Sequence, residues 1–326
     1  MLDLTVIIPI YNVKNYLKKC VLSILTQEEL PQKIILIDDG STDGSGQLAD
    51  KLKSKSDLIT VIHKENGGLS SARNYGIELS TTKYITFVDS DDYVEKSMYK
   101  ELTTLIENND ADISIGGVWY TYENGDKYSP YKPGVNKIWT KKEALKELNS
   151  YKYFNMGFWN KIFKRELFEQ SGYGDEKLRF PEGKISEDLY LMHKVIARAE
   201  KIAYTSKPLY FYVQRTGSIS RGKKINLEAL KAAKSQVDFY QKWFPDISYI
   251  AESAYLFTYM WAYSAHIKRN LKCPADILEE SKVVSRKYIK SILKNDVIPK
   301  KKKLQALVFR YLFPAYKHLV RRKFGL

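Results

Sequence analysis

Residues Lys83–Asp92 read KYITFVDSDD, and this stretch decides the architecture. Its first part is a run of aromatic and β-branched residues of strand length, which predicts a buried strand over Lys83–Asp89. Its end places two carboxylates at i and i+2, Asp89 and Asp91, where the chain leaves that strand. Carboxylates so spaced can converge on one hard cation through oxygen, with Ser90 between them. Taken alone, an Asp-x-Asp is more often a polar turn that closes a strand. Asp92 adjoins the triplet, as a supporting partner or as a solvated acid.

Outward from this stretch, apolar strands alternate with amphipathic helices. TVIIPIY (Thr5–Tyr11) is a strand, and Lys14–Gln27 carries Leu17, Val21, Ile24 and Leu25 at helical spacing. Strands at Lys33–Asp38 and Leu58–Ile62 bracket a helix holding Leu48 and Leu52, and Ser70–Leu79 forms another helix. This alternation predicts an α/β fold with a mostly parallel sheet flanked by helices. Ligands of such sheets sit beyond the carboxyl ends of the strands, where Asp38-Asp39 and Asp89-Ser90-Asp91 lie. From Ala111 the pattern is mixed, with a strand at Ile113–Tyr122, a Gly/Pro-rich loop over Asn124–Gly134 and a strand around Lys207–Val213. From Asn226 it is helical. The expected division is a domain over 1–222, with halves 1–110 and 111–222, and a helical C-terminal region over 223–326.

Charge follows this division. The chain of 326 residues carries a formal +15. Ser281–Leu326 holds fourteen Lys or Arg and one acid, an excess of thirteen, so the first 280 residues carry only +2. A near-neutral body with a basic tail argues against nucleic acid as a partner of the whole protein, and for a tail that meets something anionic. Two cysteines, Cys20 and Cys273, are too few for a disulfide framework and fit reduced thiols in the cytoplasm. The four histidines lack zinc spacing, so a metal here would be oxygen-ligated. The N-terminal LDLTVIIPIYNV reads as a strand rather than a signal peptide. No stretch approaches the roughly 18 apolar residues that span a bilayer.

Three further motifs carry chemistry. IDDGSTDGS (Ile37–Ser45) fits no phosphate-loop pattern, but Asp39 can accept from a nucleobase imide or a ribose hydroxyl. The same residues also suit a turn with Ser41, Thr42 or Asp43 as helix cap. NGGLSSARNYG (Asn66–Gly76) places Arg73 on a helix, where it can donate to a diphosphate or pair with a surface carboxylate. YFYVQRTGSIS (Tyr210–Ser220) ends a strand in a polar loop whose Arg215 and Ser218 can close over a bound ligand.

VIIPIYN, IDDGSTDGS, NGGLSSARNYGI and FVDSDD, in this order and spacing, resemble the family 2 glycosyltransferases of GT-A fold, of the bacterial cell-surface glycan type. The resemblance implies that Pro9 and Tyr11 line a nucleoside pocket, that Asp39 contacts uracil and that Arg73 approaches the diphosphate. It implies further that Asp89, with Ser90, sits near the ribose and metal, and that Asp91 ligates Mn²⁺ or Mg²⁺ directly. FWNKIFKRELF (Phe158–Phe168) and FPEGKISEDLYL (Phe180–Leu191) resemble the acceptor half more thinly. There Asp188 would be the catalytic base and Glu187 its orienting neighbour, although both acids also suit a helix start. Trp159 would face a sugar or belong to the core, and Asn160 and Lys161 would contact acceptor or phosphate.

The function implied is that of an inverting hexosyltransferase moving a sugar from a UDP-sugar to a hydroxyl. The acceptor expected is a surface glycan, lipid-linked or on a glycoprotein. Two rivals are a sugar nucleotidyltransferase, which needs a Gly- and basic-rich loop where this chain has PIYNVKNY, and a non-catalytic binder of anionic polymers. In the tail, Leu304, Leu307, Val308, Tyr311, Leu312, Ala315, Tyr316, Leu319 and Val320 form an apolar stripe beside Lys300–Lys303 and Arg321-Arg322-Lys323. The stripe fits an interfacial helix on an anionic membrane, which places the protein on the inner face of the plasma membrane. It fits equally a helix packed on the catalytic domain or in a homo-oligomer. Pro314 should kink it.

Overall fold

The structure is a computed structural model, and it describes residues 1–122, 124–150, 152–215 and 225–324. The chain forms two compact units, Met1–Ser218 and Ile219–Leu326.

The first unit begins as the alternation predicts. Strands β1 (Leu2–Ile10), β2 (Pro31–Asp38), β3 (Ile59–His63) and β4 (Tyr84–Phe87) pair in parallel, in the order β3-β2-β1-β4. Helices α1 (Lys14–Leu25), α2 (Ser45–Lys53), α3 (Leu69–Glu78) and α4 (Met98–Asn109) cover them. Alternate residues of β1 serve the two faces. Leu4, Val6, Ile8 and Ile10 join the core built with α1, α2 and α4. Ile7 points to the other face, where α3 lies so close that a Cβ on Gly76 would collide with Ile7. Glycine at that position lets α3 approach the sheet, three residues from Arg73.

Beyond β4 the sheet becomes mixed. It continues through β5 (Tyr93–Val94), β6 (Ile113–Tyr122), β7 (Lys127–Tyr128), β8 (Asn136–Thr140), β9 (Lys161–Lys164) and β10 (Lys201–Gln214). The remaining order is β4-β9-β6-β10-β5, with β7 on β6 and β8 on β10. Among the described residues of this half only β6 and β10 pair in parallel; β9 runs antiparallel to β4 and β6. The parallel expectation thus holds for the first hundred residues. The strands β5, β7, β8 and β9 are too short to show periodicity. Helices α5 (Lys141–Leu148), α6 (Glu166–Glu169) and α7 (Glu187–Arg198) complete the unit. A cluster of edge-to-face rings, Phe87 with Phe158 at 5.7 Å and with Phe180 at 5.4 Å, ties the acceptor motifs to β4.

The second unit is helical: α8 (Glu228–Trp243), α9 (Ser248–Lys268), α10 (Ala275–Lys294), α11 (Lys300–Tyr311) and α12 (Phe313–Lys323). Tyr255, Tyr259 and Tyr263 of α9 are buried, whereas Trp243 is exposed. Pro314 does more than kink the tail. It occupies the first turn of α12, where its missing N–H is harmless, and the helix breaks before it at Leu312. The predicted stripe therefore does not form one face. Tyr316 and Val320 are buried, together with Ala306 and Phe309, while Leu304, Tyr311, Leu312 and Leu319 face solvent.

Candidate active site

Three strands of the parallel half deliver the motifs to one edge. At the end of β1, Pro9 is buried in register with Ile37, and Tyr11 just beyond is 52% exposed. At the end of β2, Asp38 and Asp39 are both buried. The turn that follows needs Gly40, whose φ is 75° and whose absent Cβ would press on the Asn66 backbone nitrogen. Asp39 turns toward the Asn66–Gly68 loop. Its Oδ1 accepts from Lys64 Nζ at 2.6 Å and from the Gly67 N–H at 2.9 Å, and its Oδ2 accepts from the Gly68 N–H at 2.7 Å. Three of about four lone-pair positions are taken, so Asp39 keeps capacity for one more donor. The N-cap of α2 is Gly44, so none of Ser41, Thr42 and Asp43 holds that position, although Asp43 accepts from the Ser45 N–H at 2.9 Å.

The end of β4 holds the acid turn. Asp89 and Asp91 are partly exposed, and Ser90 and Asp92 are buried. Asp92 is an internal tie. Its Oδ2 accepts from Tyr210 Oη at 2.8 Å, and its Oδ1 accepts from the Val213 N–H at 2.7 Å. Tyr210 Oη in turn accepts from the Asp89 N–H at 3.2 Å. The acid turn is thereby stitched to the end of β10, from which Arg215 projects. Tyr210 carried no signal in the sequence beyond a place on a strand.

Two arginines neutralise this turn. Arg73, only 3% exposed, gives Nη2 to Asp89 Oδ1 and Nη1 to Glu187 Oε1, each at 2.7 Å. Its Nε has no partner among the described residues. The guanidinium lies 5.2 Å over the Phe180 ring, and neighbouring Asn74 clamps Phe180 by donating to its carbonyl at 2.9 Å and accepting its N–H at 2.8 Å. Arg215 gives Nε to Asp91 Oδ2 at 2.7 Å and sits 5.0 Å over the Tyr16 ring. Ser218 lies outside the described residues.

Glu187 and Asp188 open α7, as the helix-start reading also requires, and Ser186 before them holds a left-handed φ of 66°. That conformation is strained for serine and sets the direction in which α7 begins. Burial, and after it the charge of Glu187, pushes the Asp188 carboxyl up to about 6. Burial, and after it the charge of Asp89, raises Asp91 above the usual carboxylate range, while Arg215 pulls it down.

On the acceptor side the core alternative for Trp159 holds, and the expectations for Asn160 and Lys161 need correction. Trp159 is buried, stacked on Tyr212 at 5.4 Å and against Tyr210 at 4.6 Å, so no ring face is open to a sugar. Asn160 is fully buried and donates to the Gly116 carbonyl. Lys161, also fully buried, gives its three donors to the Asn155 and Gly157 carbonyls and to Asn160 Oδ1. Burial pushes its ammonium down to about 7, opposed by the charge of Asp188. Trp159 and Asn160 lie in the turn that leads into β9 and Lys161 is its first residue; burial keeps all three away from solvent.

The acid turn suits a hard cation. Asp89, Asp91, Asp92, Glu187 and Asp188 interact electrostatically within a site that holds two guanidinium groups, so it is short of positive charge and offers only oxygen. Among the described residues no three His, Cys, Asp or Glu are grouped to cage a metal. A cation held here would complete its shell with phosphate oxygens.

Comparison with known proteins gives the family. Residues 5–172 match the family model of Glycosyl transferase family 2. The chain is 39% identical over 227 residues to glycosyltransferase GlyA of Streptococcus pneumoniae serotype 4, covering 67% of this chain and 31% of GlyA. It is 35% identical over 228 residues to GlyG of the same organism, covering 67% of this chain and 73% of GlyG. The chain thus spans about a third of GlyA and most of GlyG. Among solved structures, S. aureus TarS 1-349 in complex with UDP-GlcNAc shares the fold, with a TM-score of 0.65 at 21% identity over 99% of this chain and 88% of that one. On the family match over more than half its length and on these relatives, the chain belongs to glycosyl transferase family 2.

Proposed function

We propose that the protein transfers a sugar, with inversion, from a UDP-sugar to a hydroxyl of a surface glycan, free, lipid-linked or protein-linked. The observation that carries this reading is the placing of Asp188. Its carboxyl, raised to about 6, stands beside Glu187, which shares Arg73 with Asp89 of the acid turn. A base is thereby held next to a donor-anchoring turn, as displacement at an anomeric carbon requires.

In this reading Tyr11 offers its exposed ring to the uracil, and Asp39 uses its remaining lone pair on the base. Arg73 and Arg215 supply guanidinium donors for the diphosphate. Asp89 and Asp91 are the residues that would hold Mn²⁺ or Mg²⁺, which when bound neutralises charge on the departing diphosphate. Asp188 takes the acceptor hydroxyl proton as its oxygen attacks the anomeric carbon opposite the leaving group, and that single displacement inverts the centre. The UDP-GlcNAc complex of a protein with the same fold supports a nucleotide-sugar donor. We place the protein in the cytoplasm, on the inner face of the plasma membrane. Among the described residues no helix is long and apolar enough to cross a membrane, and the helical unit is strongly basic. A panel of UDP-sugars assayed for UDP release with Mn²⁺, with and without EDTA, tests the donor class. Release from none of them would overturn it.

A further inference from the structure

We infer that the helical unit carries a docking surface for an anionic lipid bilayer, formed by an outward apolar ridge on α11 with cationic faces on α10 and α12. Helix α11 is apolar on two opposite sides. Ala306 and Phe309 face inward, with Phe309 packed on Tyr263 at 6.1 Å and on Tyr316 at 4.9 Å. Leu304, Leu307, Val308 and Tyr311 follow the i, i+3, i+4, i+7 pattern on the other side. Leu304 is 61% exposed and Tyr311 63%, and Leu312 and Leu319 extend the exposed apolar surface past the break. Leu307 and Val308 are half-buried at the flanks of this ridge, and the exposed crest of Leu304 and Tyr311 marks it as a contact surface.

Its charge selects the occupant. Lys300 and Lys301 precede the ridge, and Arg321, Arg322 and Lys323 follow it, all exposed. The exposed residues of α10 divide along its length: Asp276, Glu279 and Glu280 lie near its start, and Val283, Arg286, Lys287, Lys290, Leu293 and Lys294 over its last three turns, where cations again interleave with apolar side chains. From Val297 to Leu326 the sequence holds no acid. A second copy meeting this surface through the same patch of α11, α12 and the end of α10 would bring like charges together, with no carboxylate on α11 or α12 to pair them. A nucleic acid would match the cations and leave the ridge in water. An anionic bilayer satisfies both, with the cations at the headgroups and the Leu and Tyr side chains at the acyl boundary. This surface lies in the second unit and is independent of the donor chemistry of the first, so either reading can fail alone.

The test is sedimentation of the full chain with vesicles of phosphatidylcholine alone or mixed with phosphatidylglycerol. Binding to the anionic vesicles only, weakened by high salt, is expected. The paired variants Leu304→Glu with Tyr311→Glu, and Arg286→Glu with Lys290→Glu, change exposed side chains; each should lower partitioning about tenfold or more while leaving the circular dichroism spectrum unchanged. Equal binding to both vesicle types would overturn the inference. So would variants that bind as well as the unaltered chain, or a dimer that the ridge variant dissociates in the absence of lipid.

Discussion

Arg73 binds Asp89 with one terminal nitrogen and Glu187 with the other, so a single buried guanidinium joins the acid turn of β4 to the start of α7. The helix that carries Arg73 sits against β1 because Gly76 has no side chain. Donor-side and base-side acids are therefore positioned by one residue, and changes around it should be felt on both.

Replacing Arg73 by Ala leaves two carboxylates without their shared partner, and loss of one member of a buried ion pair costs about 3–5 kcal/mol. A melting curve should show a clear fall. Arg73→Lys should recover only part of it, because an ammonium lacks the forked geometry that reaches both acids. An unchanged melting temperature for Arg73→Ala would contradict the assigned pairing.

Gly76→Ala forces a methyl group into Ile7 and should destabilise the protein by about 1–3 kcal/mol, as overpacking does. Since α3 must lift, UDP affinity should fall as well. Calorimetry on the variant reads both effects.

The Arg215 guanidinium and a divalent cation would occupy the same carboxylate, that of Asp91. Arg215→Ala should therefore bind Mn²⁺ more tightly than the unaltered protein when no nucleotide is present, by about tenfold, the equivalent of one hydrogen bond to a charged group. Mn²⁺ electron paramagnetic resonance measures this directly. Weaker binding in the variant would contradict competition at Asp91.

Asp188 must be deprotonated to accept a proton, and its carboxyl is raised to about 6. The rate should be level above that pH and fall tenfold per unit below it. A profile of kcat/KM against pH checks the position of this limb.

The parallel half of the fold was legible because β1 and β2 are long apolar runs, and because the four motifs follow or close β1, β2, β3 and β4 in turn. The antiparallel strands were not, since β7 has two residues and β9 only four. Asp39, Arg73, Asp89 and Asp91 were singled out by residue type, but their partners were hidden. No local pattern links Arg73 to Glu187, or Tyr210 to Asp92, because those bonds close over long sequence separations. Asn160 and Lys161 misled for a related reason, and the same burial decides between the two readings of Trp159. Their polar and aromatic character suggested ligand contact, whereas the turn into β9 buries them, and backbone carbonyls satisfy Asn160 and Lys161. The tail stripe was read as one kinked helix, whereas the chain breaks outright at Leu312, two residues before Pro314.

The role of Asp188 is the centre of this account, and Asp188→Asn is its most direct test. The measurement pairs UDP affinity, by calorimetry, with sugar transfer to an acceptor glycan from the UDP-sugar that supports release. The account predicts an unchanged affinity for UDP and transfer slowed by roughly 10²–10⁴-fold, the usual contribution of a positioned base. Transfer by Asp188→Asn at the rate of the unaltered protein would contradict it.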